Sequence, residues 1–492
     1  MNKRQKKGSK VQRKQNKIKN MELYKKIGYP LLILYAIAAI VLLVFAARLN
    51  MLPVNYLAII GVLLAIIGAI LAIMHERKGS SMVASVFSLL CFIGFITMSL
   101  NLSKTTDTIA TISTAEVQTD AVAVYVMEEN AAHAIEDAKE FTFGILKNMD
   151  RTNTDAAIER IETGLQKPLE IVEYENMFTL ADDLQNKTID AIIMNSAYVG
   201  IISDVEDYHW MATDIRSILY EEFHTEIETV VAENVMDQDS FVMYLSGIDT
   251  FGSITTRSRS DVNILAVVNT RTKKVLLLST PRDAYLPFSI TGGANDKLTH
   301  AGIYGVDVSM NALEELYDVN INYYLRVNFQ GFIDIIDALG GISVHSDYDF
   351  AVHNVRSYQV GINHVTGIEA LAFARERYSF TEGDAQRAKN QMEVIRALIQ
   401  KAASPSILMN YGSVMNAVSG SFETNMPQEQ IAALVKMQLS DMAQWTVTSY
   451  APSGTSRRAE TYSMPGWSLY VLDLSEESVA EAKRQIAEVL SK

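Results

Sequence analysis

The sequence predicts an α/β protein carried on three N-terminal transmembrane helices, and three observations predict it. Ile27–Ala47, Val54–Met74 and Met82–Leu100 are apolar runs without a charged residue, each close to the roughly 20 residues that cross a bilayer core. Residues 241–492 alternate strand-length apolar runs with helical patterns, which suggests a sheet covered on both faces. Residues 121–240 show a shorter alternation of the same kind.

Basic residues orient the helices. Residues 1–26 carry eleven Lys or Arg against Glu22 alone. The loop 75–81 holds Arg77 and Lys78, whereas the loop 48–53 holds only Arg48. Positive charge stays inside, so residues 1–26 are expected as a cytoplasmic tail and 27–101 as three crossings. Residues 102–120 read as a Thr/Ser/Asp-rich linker, 121–240 as an extracellular accessory domain, and 241–492 as the main extracellular domain. Ile27–Ala47 reads as a retained anchor.

The net charge of −14 hides an asymmetry: the first 26 residues contribute +10, so the remainder carries −24. The basic tail suits anionic lipid. An acidic exterior excludes nucleic acid as a partner there, because phosphate-backbone binding needs a basic face. The single cysteine, Cys91, lies in the third apolar run, which excludes an internal disulfide and a thiolate metal cluster. An exterior without disulfides suits a Gram-positive surface.

Within 121–240, strands are expected at Ala121–Val126, Leu169–Tyr174 and Asp190–Met194. Helices are expected at Asn130–Met149, Thr154–Gly164 and Thr179–Asn186, with Ser203–Glu222 partly helical. Within 241–492, strands are expected at Phe241–Ser246, Val262–Val268, Val275–Ser279, Tyr323–Val327, Ile342–His345 and Trp445–Tyr450. Pro281 stops the third of these. Helices are expected at Gly305–Tyr317, Phe329–Leu339, Thr366–Ala374, Asp384–Ala402 and Glu476–Leu490, with two more in 404–439.

Three arginine-bearing clusters carry the chemistry: Arg257–Asp261, Pro281-Arg282-Asp283 and Arg375-Glu376-Arg377, the last followed by Asp384, Arg387 and Gln391. Arg257, Arg259 and Asp261 alternate, so an extended segment puts them on one face. Asp384, Arg387 and Gln391 form one helical stripe. Asp384 either caps that helix or acts chemically. Asp249 and Asp261 sit at predicted strand ends, where they are turn formers or ligands of a hard cation such as Mg²⁺. Recurring guanidinium forks match phosphate oxygens. Together these residues point to a polyanion, a pyrophosphate with a divalent metal.

Gly-Ile-Asp-Thr at 247–250, Arg-Ser-Asp at 259–261, Pro-Arg-Asp at 281–283, Asn-Phe-Gln-Gly-Phe through Ala-Leu-Gly-Gly at 328–341, Ala-Arg-Glu-Arg at 374–377 and Gly-Asp-x-x-Arg at 383–387 occur in order. This set resembles the LytR-CpsA-Psr family, in the streptococcal capsule-locus branch with three membrane helices and an accessory outer domain. The resemblance implies an α/β/α sandwich catalytic domain. It implies a polyisoprenyl-glycopolymer to peptidoglycan phosphotransferase that moves a capsular or exopolysaccharide from undecaprenyl pyrophosphate to peptidoglycan at the cell membrane, with other capsule assembly proteins as partners. By motif, Asp249 and Asp261 would bind Mg²⁺. Arg259, Arg282, Lys297, Arg375, Arg377, Arg387 and Gln391 would hold the pyrophosphate, and Arg259, Asp261, Arg282 and Asp384 would be catalytic. The family often has Arg where this chain has Asn390.

A polyprenyl tail needs an apolar groove. Phe329, Phe332, Ile333 and Ile336 form one helical stripe that serves either as core or as a lipid pocket. The proton acceptor is left open between Asp261 and Asp384. A non-catalytic membrane regulator, sensing polyprenyl phosphate and controlling capsule synthesis, would carry the same arginines.

Overall fold

The computed structural model describes residues 3–112, 117–226, 239–248, 254–404, 414 and 422–491. It divides into two units: Met1–Ala110 with Pro427–Ala443, and Thr111–Met426 with Gln444–Lys492.

The first unit contains helices α1 (Lys3–Arg48), α2 (Val54–His75) and α3 (Lys78–Ile112). Their apolar stretches, Tyr24–Arg48, Val54–His75 and Gly79–Ser103, are each long enough to cross a membrane. Ile33, Ile40, Ile59 and Ile66 are exposed, the surface a helix offers to lipid. Tyr35, Leu71 and Ala84 are buried between the helices. The Tyr35 hydroxyl donates to the Leu64 carbonyl at 2.7 Å, because a polar group in hydrocarbon needs an internal partner. The helix Gln428–Asp441 also belongs to this unit, and Lys436 Nζ donates to Asn50 Oδ1, 3.0 Å away in the turn between α1 and α2.

The second unit opens with strand β1 (Val117–Met127), β2 (Thr142–Leu146), helix α4 (Arg151–Leu165), β3 (Glu170–Tyr174), α5 (Met177–Gln185), β4 (Ala191–Asn195), α6 (Ala197–Ser203) and β5 (Ile215–Glu226). The strands form one sheet in the order β3-β2-β4-β1-β5. β2 runs parallel to β3 and β4, whereas β1 runs antiparallel to β4 and β5.

The chain continues through β6 (Ser240–Ile248), β7 (Ser260–Asn269), β8 (Lys274–Ser279), β9 (Tyr285–Pro287), β10 (Asn295–Lys297), α7 (Leu298–Tyr304), α8 (Val306–Tyr317), β11 (Tyr323–Val327) and α9 (Phe329–Ala338). It goes on with β12 (Ile342–Ser346), β13 (Phe350–Val352), β14 (Arg356–Tyr358), β15 (Gly361–Val365), α10 (Gly367–Arg375), α11 (Asp384–Ala402) and β16 (Phe422–Thr424). The helix Gln428–Asp441 is α12, followed by β17 (Thr446–Tyr450), β18 (Gly454–Thr461), β19 (Met464–Leu474) and α13 (Glu476–Leu490).

The main sheet has the order β16-β11-β6-β7-β8-β17. Val242, Tyr244, Leu265, Val267, Leu276 and Leu278 face one layer, where α7, α8 and α13 supply Leu298, Leu313, Tyr317 and Ile486. Their neighbours Met243, Leu245, Ile264, Ala266 and Leu277 face the other layer, where α11 supplies Met392, Ile395 and Ile399. Both faces are covered, so the strands read as continuous apolar runs rather than alternating ones. The result is the α/β/α sandwich. A separate core joins α9, α10 and α11 through Ile336, Phe373 and Val394, closed by Phe350 and Tyr358.

Two expectations fail and one, for Ser203–Glu222, holds in part. Asn130–Met149 is not a helix: it forms a short 3₁₀ turn at Ile135–Ala138 and then β2. Local helix formers lose there to tertiary packing, because Phe143 and Ile145 bury one face of a strand paired on both sides. Ser203–Glu222 holds a 3₁₀ turn at Glu206–Ala212 and then β5, which pairs along β1. The expected linker is helical to Ile112 and enters β1 at Val117. Of the two helices expected in 404–439, α12 is present, and 405–413 and 415–421 lie outside the described residues. The hairpin β18–β19 and the strands β13 and β14 had no signal strong enough to be read.

Candidate functional site

The site forms where β6, β8 and β11 end and β7 begins, the edge at which open α/β sheets bind ligands. Several contacts deliver the first arginine cluster there. Arg326 on β11 is buried and donates through Nη2 to the carbonyls of Ile254 and Thr256, at 2.6 and 2.8 Å. Thr119 of β1 pairs with the same segment: its N–H donates to Thr255 O, and Arg257 N–H donates to its carbonyl, both at 2.9 Å. Ser260 is buried beside Tyr244 and Ser246, its hydroxyl 3.0 and 2.8 Å from theirs. On α7, Gly302 lets the helix abut this segment, since a Cβ there would lie 2.7 Å from Ser258 O.

Arg282, one turn past the end of β8, is the hub. Its Nη1 donates to Asp261 Oδ1 at 3.1 Å, and its Nε lies 3.8 Å from Asp283 Oδ2. Thr299 Oγ1 donates to the same Asp261 oxygen at 3.0 Å. Lys297 is buried and pairs with Asp283 at 2.7 Å. Arg259 is buried, and its Nη1 lies 2.6 Å from Asp204 Oδ2, while Asp204 Oδ1 is 3.8 Å from Arg282 Nη2. Burial alone would raise the Asp261 carboxyl, but Arg259, Arg282 and Arg387 outweigh it and hold the group well below the usual carboxylate range. Asp204 behaves alike: burial opposes ionisation, and Arg259 and Arg282 win.

The third cluster arrives on α10 and α11. Asp384 Oδ1 is 3.5 Å from Arg377 Nη1, and its Oδ2 is 3.3 Å from Arg387 Nη2. Gly383 is the N-cap residue of α11 and Asp384 the first helical one. The carboxylate therefore faces two arginines rather than capping the helix. Burial, helped by the charges of Arg282 and Arg377, pushes the Arg387 guanidinium below its ordinary value, although Asp384 and Asp261 oppose this.

The remaining sequence candidates separate. Arg375 lies over the Phe329 ring, 4.3 Å from its centroid. Gln391 is half-buried on α11. Asn390 is buried, accepts from Gln386 Nε2 at 2.9 Å and donates to the Phe373 carbonyl at 3.2 Å. It joins α11 to α10 and does not reach the arginine cluster. Lys389 turns outward to Glu382 at 2.6 Å and does not replace it. Ile336 is fully buried in the core of α9 to α11, Phe332 packs against that core, and Ile333 is half-buried. Asp249 lies outside the described residues.

The donor set suits a hard cation in a limited way. Both described hydrogen bonds to Asp261 use Oδ1. Among the described residues, no group of three or more His, Cys, Asp or Glu is arranged to hold a metal. One or two carboxylates with water and phosphate oxygens match Mg²⁺, which rarely uses an all-protein cage.

Sequence reasoning missed Asp204, Asp283 and Thr299. Thr299 stands two residues after Lys297, and Asp283 completes the Pro-Arg-Asp motif, so both had a local signal. Asp204 had none, because it reaches Arg259 only through the packing of one sheet beside another.

Residues 209–485 match the LytR_cpsA_psr family. The chain belongs to this family. Among LytR_cpsA_psr relatives, the polyisoprenyl-teichoic acid–peptidoglycan teichoic acid transferase TagU of one Bacillus cereus strain is 38% identical over 193 residues, covering 39% of this chain and 62% of TagU, less than two thirds of its length. TagU of a second Bacillus cereus strain is 33% identical over 260 residues, covering 53% of this chain and 83% of TagU. The crystal structure of Bacillus subtilis TagV aligns with 52% of this chain and 98% of its own, at 26% identity and a TM-score of 0.44. The arginine clusters from Arg257 to Arg387 fall inside the family match, whereas Asp204 lies just before it.

Proposed function

We propose that this chain transfers a glycopolymer from a polyprenyl pyrophosphate carrier to peptidoglycan, and that the polymer is a capsular or exopolysaccharide. The observation that carries the reading is the cluster of Arg282, Arg259 and Arg387 around Asp261 at one sheet edge, with Arg377 and Lys297 flanking it through Asp384 and Asp283. Guanidinium forks in a desolvated cleft fit the oxygens of a diphosphate. Membership of a family with polyisoprenyl-teichoic acid transferases supports the same chemistry.

The acceptor hydroxyl of peptidoglycan attacks the sugar-linked phosphorus. A new P–O bond forms, the P–O–P bridge breaks, and the bridging oxygen leaves with the polyprenyl phosphate. Arg259, Arg282 and Arg387 stabilise the charge that gathers on the leaving phosphate. Asp261 is engaged by Arg282 and Thr299, whereas Asp384 is 45% exposed at the mouth of the cluster, so Asp384 takes the hydroxyl proton. Asp261 with Asp249 would hold Mg²⁺, which supplies charge neutralisation at phosphate oxygens.

The large region lies outside the cell, with residues 1–26 inside. The basic tail and the Arg77-Lys78 loop, against a turn between α1 and α2 that carries only Arg48, support this. The test is transfer itself: the purified full chain, given a polyprenyl-pyrophosphate-linked oligosaccharide, peptidoglycan and Mg²⁺, should release polyprenyl phosphate and label the wall. Binding without release would make the protein a polyprenyl-phosphate sensor.

A further inference from the structure

Asp204 comes from the first sheet's half of the chain and reaches both Arg259 and Arg282 of the arginine cluster. It follows α6 directly. Its two oxygens are divided between two cations, Oδ2 toward Arg259 at 2.6 Å and Oδ1 toward Arg282 at 3.8 Å. That is the arrangement of an oxyanion spanning two guanidiniums. The surrounding surface is shaped to admit it. Gly200 on α6 faces the Arg259 guanidinium, and a Cβ there would lie 2.8 Å from Nε. The same half of the chain holds the neighbouring arginine: Arg257 Nη2 donates to Gln118 Oε1 at 2.8 Å, and its Nη1 lies 3.5 Å from Asp120 Oδ2.

We propose that Asp204 is a built-in counter-anion that occupies the phosphate position between Arg259 and Arg282 and is exchanged for the diphosphate of the incoming carrier. This rests on the diphosphate reading of the cluster. A diphosphate brings two or more negative charges to cations already facing Asp204, Asp261 and Asp283. Like charges at such separations repel strongly in a desolvated site, so Asp204 and a phosphate oxygen do not share one guanidinium edge. The residues from 117 to 226 thereby gate the site. They hold the arginines in place without ligand and release them when a stronger anion arrives.

Competition from within scales the apparent affinity by the fraction of protein in the open, binding-competent state. The experiment compares the full chain in detergent with its Asp204→Asn, Asp204→Glu and Arg282→Ala variants. Binding of inorganic pyrophosphate and of geranyl pyrophosphate is measured by calorimetry with Mg²⁺ present, and melting curves establish folding. Asp204→Asn is expected to bind both probes about tenfold more tightly than wild type. Asp204→Glu, which keeps the charge, is expected to stay near wild type. Tightening toward geranyl pyrophosphate alone would place the exchange at the lipid and not at the phosphates, and would overturn the proposal. If wild type binds, Arg282→Ala does not, and Asp204→Asn is unchanged or weaker, the gate is wrong and the diphosphate site stands; weaker binding would mark Asp204 as a positioning residue or cation ligand. If neither wild type nor Asp204→Asn binds either probe, the diphosphate reading itself falls.

Discussion

Arg282 Nη1 and Asp261 Oδ1, 21 residues apart in sequence, meet at 3.1 Å and join the end of one central strand to the start of its neighbour. This pair fixes the guanidinium around which the other charges gather. Replacing Arg282 with Ala or Lys removes its forked contact with a developing phosphate charge. Transfer should fall by about 100-fold or more, while membrane insertion stays intact. Quantifying wall-linked polymer and released polyprenyl phosphate checks this, and normal transfer by Arg282→Ala would refute the assignment.

The proposed cation site at Asp261 and Asp249 predicts metal dependence. Chelation should abolish transfer, and added Mg²⁺ should restore it. Asp261→Asn should raise the Mg²⁺ concentration at half-maximal activity by at least about tenfold. An unchanged Mg²⁺ titration in that variant would remove Asp261 from the cation site.

Gly200 gives a steric prediction. A methyl group at this position meets the Arg259 guanidinium at 2.8 Å, so the guanidinium must shift away from α6 to admit it. Gly200→Ala should lower the melting temperature and weaken pyrophosphate binding together. A variant with wild-type melting and binding would show that the contact between α6 and Arg259 has slack.

Asn390 tests whether a motif position has changed its job. Its amide links Gln386 to the Phe373 carbonyl inside the core, so Asn390→Ala leaves buried polar groups unsatisfied, at a cost of about 1–3 kcal/mol. The loss should appear in thermal denaturation, with substrate KM unchanged. A raised KM with unchanged stability would return the residue to the phosphate site.

Asp296 ties stability to pH. It is buried, accepts from Lys297 N–H at 2.7 Å and Ser463 N–H at 2.8 Å, and lies 2.7 Å from His300 Nδ1. Burial opposes its ionisation, but His300 and these hydrogen bonds prevail and lower its pKa. A carboxylate lowered on folding adds stability above the unfolded value, about 3.9, and loses it as the pH falls through the folded value. Asp296→Asn should therefore melt earlier than wild type at neutral pH, with the gap closing in acid. A gap independent of pH would show that packing, not charge, is what Asp296 contributes.

Much of the site was legible because its motifs sit at strand ends and helix starts, where spacing predicts direction. Arg259 and Asp261 alternate into one cluster, and Asp384 with Arg387 forms the expected stripe on α11. Other placements were not legible. Nothing local distinguishes Asn390 as a core amide, or Ile336 as a core residue fully shielded from any groove.

The sequence by itself determined the three apolar spans, the doubly covered sheet and the arginine motifs, because membrane length, hydrophobic period and motif spacing are properties of contiguous residues. Tertiary structure alone decided that Phe143 and Ile145 belong to a strand, since pairing to β3 and β4 outweighs the helix propensity around them. It alone brought Asp204 to Arg259 across 55 residues of chain. Coulomb attraction in a desolvated cleft depends on distance in space, and no periodicity in the sequence records that distance.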